Sequence, residues 1–199
     1  MTRTFLFLLN IFIILLLAGC GTKVTRIDVD DSKDLSGRWN DTDSRLVAEA
    51  MIQDCTNSAW LPNFVARKGI KPDVIVGQIR NRSSEHISTE TFTKDLERSL
   101  INSGRANFVA SAEEREGIRS ERLDQDIHAS PDTRNAPGME AGANFMVIGS
   151  INSIVDREGK EMVVFYQVNL ELVDMSNNRK VWIGEKKIKK FVERSKFKL

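Results

Sequence analysis

The stretch VFYQVNLELV, residues 164–173, decides the fold, because apolar residues occupy every second position in it. Side chains of a β-strand point alternately to opposite faces, so this pattern predicts a strand with one face in the core and the other partly solvated. The predicted core positions are Val164, Tyr166, Val168, Leu170 and Leu172, and the opposite face carries Phe165, Gln167, Asn169 and Glu171.

Two further strand-like segments flank this stretch, NFMVIGSINSIV at residues 144–155 and KVWIGEKKIKKF at residues 180–191. The connectors DREGK (156–160) and MSNNR (175–179) contain glycine or paired asparagines, which tolerate positive φ and suit hairpin turns. Short turns join antiparallel neighbours, so the sequence predicts a three-stranded antiparallel meander at the end of the chain.

Upstream, residues 74–79 form a short apolar run that predicts a buried central strand, and residues 107–110 predict a brief one. Helices are predicted up to about residue 57, over 88–103, over 112–127 and near Met139. Asp41, Thr42 or Asp43 can cap the first helix, Gly104 ends the second, and Ser111 with Glu114 forms a capping box for the third. The predicted fold is α/β (α+β), a small mostly antiparallel sheet flanked by helices.

The N-terminus carries FLFLLNIFIILLLAGC, residues 5–20, an apolar run that ends at a cysteine. Sixteen helical residues rise only about 24 Å, short of the ~30 Å bilayer core, so the run predicts a cleaved signal peptide, residues 1–19. Leu17-Ala18-Gly19-Cys20 resembles the bacterial lipobox, which implies lipid attachment at Cys20 and a membrane partner through that anchor. An N-terminal anchor helix with an incidental cysteine is the alternative. Gly21 and Thr22 favour the outer membrane, periplasmic face.

Residues 20–38 are predicted to be the lipidated terminus and a short flexible tether, and residues 39–199 a single domain with a basic C-terminal tail. Loss of Arg3 with the signal peptide leaves 28 basic side chains against 28 acidic ones, so no nucleic-acid partner is expected. Beyond Cys20 the only cysteine is Cys55, on the apolar stripe of a helix. It is interpreted as a buried inert thiol, with a reactive or intermolecular cysteine as the alternative.

No motif for catalysis or ligand binding is present. The chain has no Gly-rich phosphate loop, no paired CxxC and no Gly-x-Ser-x-Gly, and its histidines, His86 and His128, are far apart. The sequence therefore predicts no enzyme, no catalytic or metal site, no cofactor and no small-molecule substrate.

Four segments carry a family resemblance: SGRWNDTDS (36–44), PDVIVGQIRNRSSEHIST (72–89), GANFMVIGSINS (142–153) and YQVNLELVDMSNNRKVWIGEKKIKK (166–190). They resemble the LpoB family, the lipoprotein B-type activators of peptidoglycan synthases. The resemblance implies an outer-membrane lipoprotein that binds a bifunctional class A penicillin-binding protein and stimulates peptidoglycan synthesis. It also implies a fold similar to the N-terminal domain of the Tol-system propeller protein. The tether departs from the family's long, proline-rich one, since about 18 residues reach at most about 60 Å.

Arg80, Asn81, Arg82 and His86 are the candidate partner-binding residues, because they follow a strand end at which a rigid scaffold presents side chains outward. The alternative is an ordinary solvated loop. Trp39 is a further candidate, with a lid packed over the first helix as its alternative.

Two other hypotheses stay open. A curli-type outer-membrane secretion channel, of which the chain would be an accessory or subunit, is the second candidate function. The basic tail, residues 185–199, is either a solvated end or a short amphipathic helix on an anionic surface.

Overall fold

The computed structural model describes residues 24–28 and 31–193, so the predicted signal peptide and Cys20 lie outside the described residues. The described chain forms α1 (Asp41–Asn57), α2 (Trp60–Lys68), β1 (Asp73–Arg82), α3 (Thr89–Ser103), β2 (Asn107–Phe108), α4 (Ala112–His128), β3 (Phe145–Glu158), β4 (Glu161–Asp174) and β5 (Arg179–Glu193). The chain divides into two units, Met1–Lys33 and Asp34–Leu199, and every one of these elements belongs to the second. No helix within the described ranges is both long and apolar enough to cross a bilayer.

The strands form one five-stranded sheet in the order β2-β1-β3-β4-β5. β1 runs parallel to β2 and β3, whereas β3, β4 and β5 pair antiparallel as consecutive neighbours. Val168, at the centre of the sheet, lies opposite Ile151 on one side and Lys186 on the other. The predicted meander and the predicted mixed fold class are confirmed; the likeness to the Tol-system domain stays a prediction.

The core lies between one face of the sheet and helices α1 and α3, which pack against each other, α1 also contacting β5 and α3 contacting β1. The five alternating residues of β4 that were predicted for the core are all buried, and each has at most 1% of its surface exposed. Complete burial of such a side chain contributes about 1.5–3 kcal/mol. The alternating pattern of β4 therefore supplies the centre of the core.

Cys55 on α1 and Trp182 on β5 both belong to this core. Cys55 is buried, and burial raises the pKa of its thiol to about 12, which keeps it protonated and unreactive, as predicted. Trp182 is also buried, and its indole nitrogen donates a hydrogen bond to Asp54 Oδ2 at 2.9 Å. That bond satisfies the one polar group of the ring and fixes β5 to α1.

The helix boundaries differ from prediction at three points. Asn40, not one of the three predicted residues, caps α1: its side chain accepts from the Asp43 N–H, and Asp43 accepts from the Asn40 N–H. The segment WLPNFVARK forms α2, a helix absent from the prediction, with Pro62 in the first turn, where proline is tolerated. The predicted helix near Met139 does not form, and residues 139–144 have no regular structure.

Two predicted ends were also wrong. β1 continues to Arg82, so Arg80, Asn81 and Arg82 belong to the strand and not to the loop. Residues 185–193 complete β5, because they pair with β4 as far as Glu161, and so they form no amphipathic helix, although most of their side chains are exposed. The described part of the basic tail is the edge strand of the sheet.

The capping box of α4 predicts a pH-dependent contribution to stability. Glu114 accepts hydrogen bonds from the Ser111 N–H at 2.8 Å and from Lys94 Nζ at 2.5 Å. These bonds lower the pKa of Glu114 from 4.5 to about 2, and the bond from Lys94 has the larger effect. Because the folded-state pKa is lowered, the stabilisation is complete above pH 4.5 and is lost as the pH falls towards 2. We expect Glu114→Gln to lower the free energy of unfolding by about 1 kcal/mol at pH 7, after allowance for solvent screening.

Urea unfolding at a series of pH values checks this prediction. The difference between Glu114→Gln and the parent should shrink between pH 4.5 and 2, since the parent carboxylate is then protonated. A difference that stays constant through that range would show that the loss comes from packing and not from charge.

Candidate partner-binding site

A short N-terminal segment, residues 34–40, packs on the domain and is called the strap below. The sequence assigned residues 34–38 to the tether, yet Gly37 is buried and has a φ of +69°. A Cβ atom at Gly37 would lie 2.1 Å from Val192 Cγ2 on β5, so the strap approaches the sheet as closely as glycine allows. The strap lies over the end of β5 at Val192.

Trp39 packs the strap against the hydrophobic core. Its ring makes edge contacts with Tyr166 on β4, at 5.5 Å between centroids, and with Phe92 on α3, at 6.2 Å. The side chain is half-buried and packs against the hydrophobic core. This is the lid-like arrangement that the sequence left open, and a partner-binding role for Trp39 remains a prediction.

Glu85 joins the strap to the loop between β1 and α3, residues 83–88. Its Oε2 accepts the Trp39 backbone N–H at 3.1 Å, and its Oε1 accepts the Tyr166 hydroxyl at 2.8 Å. Burial, together with the bond to the Glu85 carboxylate, raises the pKa of Tyr166. The phenol therefore stays protonated and donates a hydrogen bond to Glu85. A single carboxylate therefore orders the strap and the loop together.

Lys190 secures the other end of the strap. Its ammonium donates to Asp34 Oδ1 at 2.8 Å, to Asp43 Oδ2 at 2.6 Å and to the Arg38 carbonyl at 3.1 Å, which uses all three donors. Burial alone would lower the pKa of Lys190, but the bonds to Asp34 and Asp43 outweigh it and raise the pKa. Lys190 was predicted as part of a basic tail. In the structure its side chain is nine-tenths buried and forms an ion pair with Asp43.

The side chain of Asn81, at the end of β1, forms hydrogen bonds with the loop. Its side-chain amide donates to the Glu85 carbonyl at 2.8 Å, and its oxygen accepts from the N–H and hydroxyl of Ser83. The Ser84 N–H donates to Ser153 Oγ on β3 at 3.1 Å, which fixes the loop to the sheet. Asn81 thus has a structural role in addition to any contact with a partner, and the loop is held in one conformation.

Of the remaining predicted residues, Arg80 and Arg82 lie at the end of β1 and His86 lies in the loop. Arg80, Arg82 and His86 are exposed, and Arg80 Nε donates to Gln78 at 3.1 Å. An open groove of about 780 Å³ runs between the strap, the loop and the far ends of β3–β5, and it is lined by none of these three residues. Val155, Met162, Val164 and Val192 contribute apolar lining, and Arg38, Glu85, Arg157 and Glu193 contribute charge.

The structure thus brings Trp39 to the loop through the Glu85 carboxylate, a contact that the sequence did not indicate. Glu85, Tyr166 and Lys190 were not predicted as site residues, although the one acidic residue within RNRSSEH offered a signal for Glu85. The described residues contain no group of three or more His, Cys, Asp or Glu side chains that could hold a metal ion. The arrangement offers an apolar lining, arginines and a preordered loop, which are features of a protein-binding surface.

Residues 43–188 match the family model described as peptidoglycan-synthase activator LpoB. The structures similar to this chain include LpoB C-terminal domains from Escherichia coli (13% identity, TM-score 0.40) and Salmonella enterica (14%, 0.39), each match covering 71% of this chain and 97% of the other. Lipoprotein GNA1162 from Neisseria meningitidis is 17% identical with a TM-score of 0.38, over 60% of this chain and 83% of that one. Comparison with curated proteins gave no match. The matched range includes the loop but not the strap or Lys190.

Proposed function

Because the chain belongs to the LpoB family of peptidoglycan-synthase activators, we propose that it is an outer-membrane lipoprotein that binds and stimulates a bifunctional class A penicillin-binding protein. The observation that carries this proposal is the family match over residues 43–188. The role is regulatory and non-catalytic: the chain binds the synthase and changes its activity without reacting with the glycan.

We assign the contact to the end of β1 and the loop that follows it, together with the strap. Arg80, Arg82 and His86 project from backbone that Glu85 and Asn81 already hold in place. Binding through a preordered loop avoids the entropy loss of ordering it, and arginine is enriched among residues that dominate binding energy. The groove beside the loop adds apolar area to these polar contacts.

Attachment of the strap shortens the tether. Only residues 21–33 separate Cys20 from the strap, and fully extended they reach at most about 50 Å. A flexible coil of that length spans about 20 Å on average. The domain is therefore proposed to stay close to the lipid surface, so that the synthase must extend towards it.

Lipid attachment at Cys20 is tested by Cys20→Ser. We expect the substitution to abolish labelling by an alkynyl fatty acid and to leave uncleaved or mislocalised precursor, because the thiol is the acceptor of the diacylglyceryl group. Cys55→Ser is the matched control and should label like the parent, since Cys55 is buried in the domain. Undiminished labelling of Cys20→Ser would contradict the lipoprotein assignment.

Binding to a synthase is tested by crosslinking in whole envelopes with the tagged full chain, followed by mass spectrometry of the captured proteins. Recovery of a class A penicillin-binding protein is expected. Recovery of the chain alone, as a ring, would contradict the proposal and favour the curli-type secretion channel. The family match favours the activator over that alternative.

A further inference from the structure

Helix α4 carries a row of three arginines, Arg115, Arg119 and Arg122, spaced so that they share one side of the helix. Residues 129–144 fold back along this helix: Arg134 Nη1 donates to Asp126 at 3.0 Å, and the Asn135 N–H donates to Gln125 at 3.1 Å. The returning segment brings one carboxylate, Glu140, to the arginine row.

Glu140 satisfies only part of the row. Arg119 donates to both of its oxygens, from Nε at 2.8 Å and from Nη2 at 2.9 Å, as a bidentate pair. Arg122 Nη1 lies 3.5 Å from Glu140 Oε1, close enough for ionic attraction but without the geometry of a hydrogen bond. The hydrogen bonds from Arg119 and the charges of the row lower the pKa of Glu140, which therefore remains ionised.

Two guanidinium nitrogens of the row make no hydrogen bond within the described part of the chain. Arg115 Nε and Arg122 Nη1 are buried and have no hydrogen-bond partner among residues 24–28 and 31–193. A buried charged donor without an acceptor is costly, and such groups commonly indicate an ion or water at the site. All three arginines act on Glu140, and Glu116 also acts on Arg119, so the donors without a hydrogen bond, and not an excess of positive charge, favour a further acceptor.

We propose that the arginine row of α4 is a binding site for one oxyanion, a carboxylate or a phosphate group, next to Glu140. Guanidinium groups suit this ligand because their donors match the spacing of carboxylate and phosphate oxygens. Glu140 competes with the ligand, since it is a negative charge held against the same arginines. The site lies on α4 and uses none of the strap or loop residues, so it stands independently of the proposed synthase contact.

The test is an NMR titration of the full chain in detergent, labelled with ¹⁵N-arginine, with the Nε–H signals of the three arginines as the readout. Sodium phosphate and sodium acetate are added separately at constant ionic strength, balanced with sodium chloride. We expect a saturable shift of the Arg115 signal with at least one of them. Arg122→Gln should weaken binding about fivefold, the loss of about one charge-assisted hydrogen bond at a partly exposed site, and Glu140→Gln should strengthen it.

Arg67→Gln is the matched control. It removes the same charge from an exposed position of α2, outside both α4 and the returning segment, so the affinity should equal that of the parent. Saturation by acetate alone assigns a carboxylate ligand, by phosphate alone a phosphate ligand, and by both a site for either. Absence of saturation with both anions, or equal affinities for parent, Arg122→Gln and Glu140→Gln, would overturn the proposal and leave water as the acceptor.

Discussion

Replacing Gly37 with alanine is expected to lower the free energy of unfolding by about 3 kcal/mol. Two costs combine: a non-glycine residue at a φ of +69° costs about 1–2 kcal/mol, and overpacking against Val192 adds about 1–3 kcal/mol. The new Cβ would lie 2.1 Å from Val192 Cγ2, so either the strap or β5 must move. Urea unfolding of parent and variant at pH 7 measures the loss.

Gly69→Ala is the matched control, because Gly69 has nearly the same φ, +71°, and a Cβ atom added there would have no atom within 4 Å. It should cost only the backbone strain. Equal losses for Gly37→Ala and Gly69→Ala would mean that the strap does not press on β5. Hydrogen exchange separates local release from global loss: exchange of the strap amides should rise more than that of the β4 amides.

Glu85→Ala is expected to lower the free energy of unfolding by about 2–3 kcal/mol and to loosen the strap and the loop together. Without the carboxylate, the Trp39 N–H loses its acceptor and the buried Tyr166 hydroxyl keeps only the Gly37 carbonyl, at 3.5 Å, so both groups bear a desolvation cost. Urea unfolding gives the stability loss, and hydrogen exchange of the Trp39 amide and of residues 83–88 reports the coupling.

Two variants separate the parts of this effect. Glu85→Gln keeps one carbonyl oxygen as an acceptor and should lose less stability than Glu85→Ala. Tyr166→Phe removes the hydroxyl itself and should cost about 1–2 kcal/mol without faster exchange at Trp39. If Glu85→Ala accelerates exchange in the loop but leaves Trp39 unchanged, the strap and the loop are independent.

The sheet was predictable because its information is local. The alternation in residues 164–173 fixes which face of β4 is buried, and the short connectors make β3 and β5 the two neighbours of β4. Ser111 with Glu114, and Gly104, likewise mark helix ends through contacts three or four residues away. Helix α2 was missed because Pro62 suggests a break, although proline fits the first turn.

The strap was not predictable, because distant residues hold it. Gly37 meets Val192, Trp39 meets Glu85, and Lys190 reaches back to Asp34, pairs separated by 46 to 156 residues. No periodicity in the polar sequence around Gly37 encodes such contacts. The same reasoning explains Lys190: a run of lysines is usually solvated, and only the fold places this one between two aspartates.

The exposure of the candidate residues was predictable, and their role in binding stays a prediction. A strand followed by polar residues indicated an exposed, arginine-bearing surface, because strand ends present side chains outward. The sequence could not separate Asn81, whose side chain bonds within the loop, from Arg82, which projects to solvent. That separation requires the path of the backbone after β1, and it makes Arg82 the sharper residue to test.

The most direct test of the central claim is the rate of glycan-strand polymerisation by a class A penicillin-binding protein of the same cell, measured with and without the full chain. Stimulation is expected, and Arg82→Glu should reduce the affinity of the chain for the synthase about 30-fold, the effect of a binding residue worth about 2 kcal/mol. Lys68→Glu makes an equal charge change at an exposed position of α2, and this variant should stimulate the synthase as the parent does. A synthase that is neither bound nor accelerated by the parent chain, or one that responds equally to Arg82→Glu, would contradict the account.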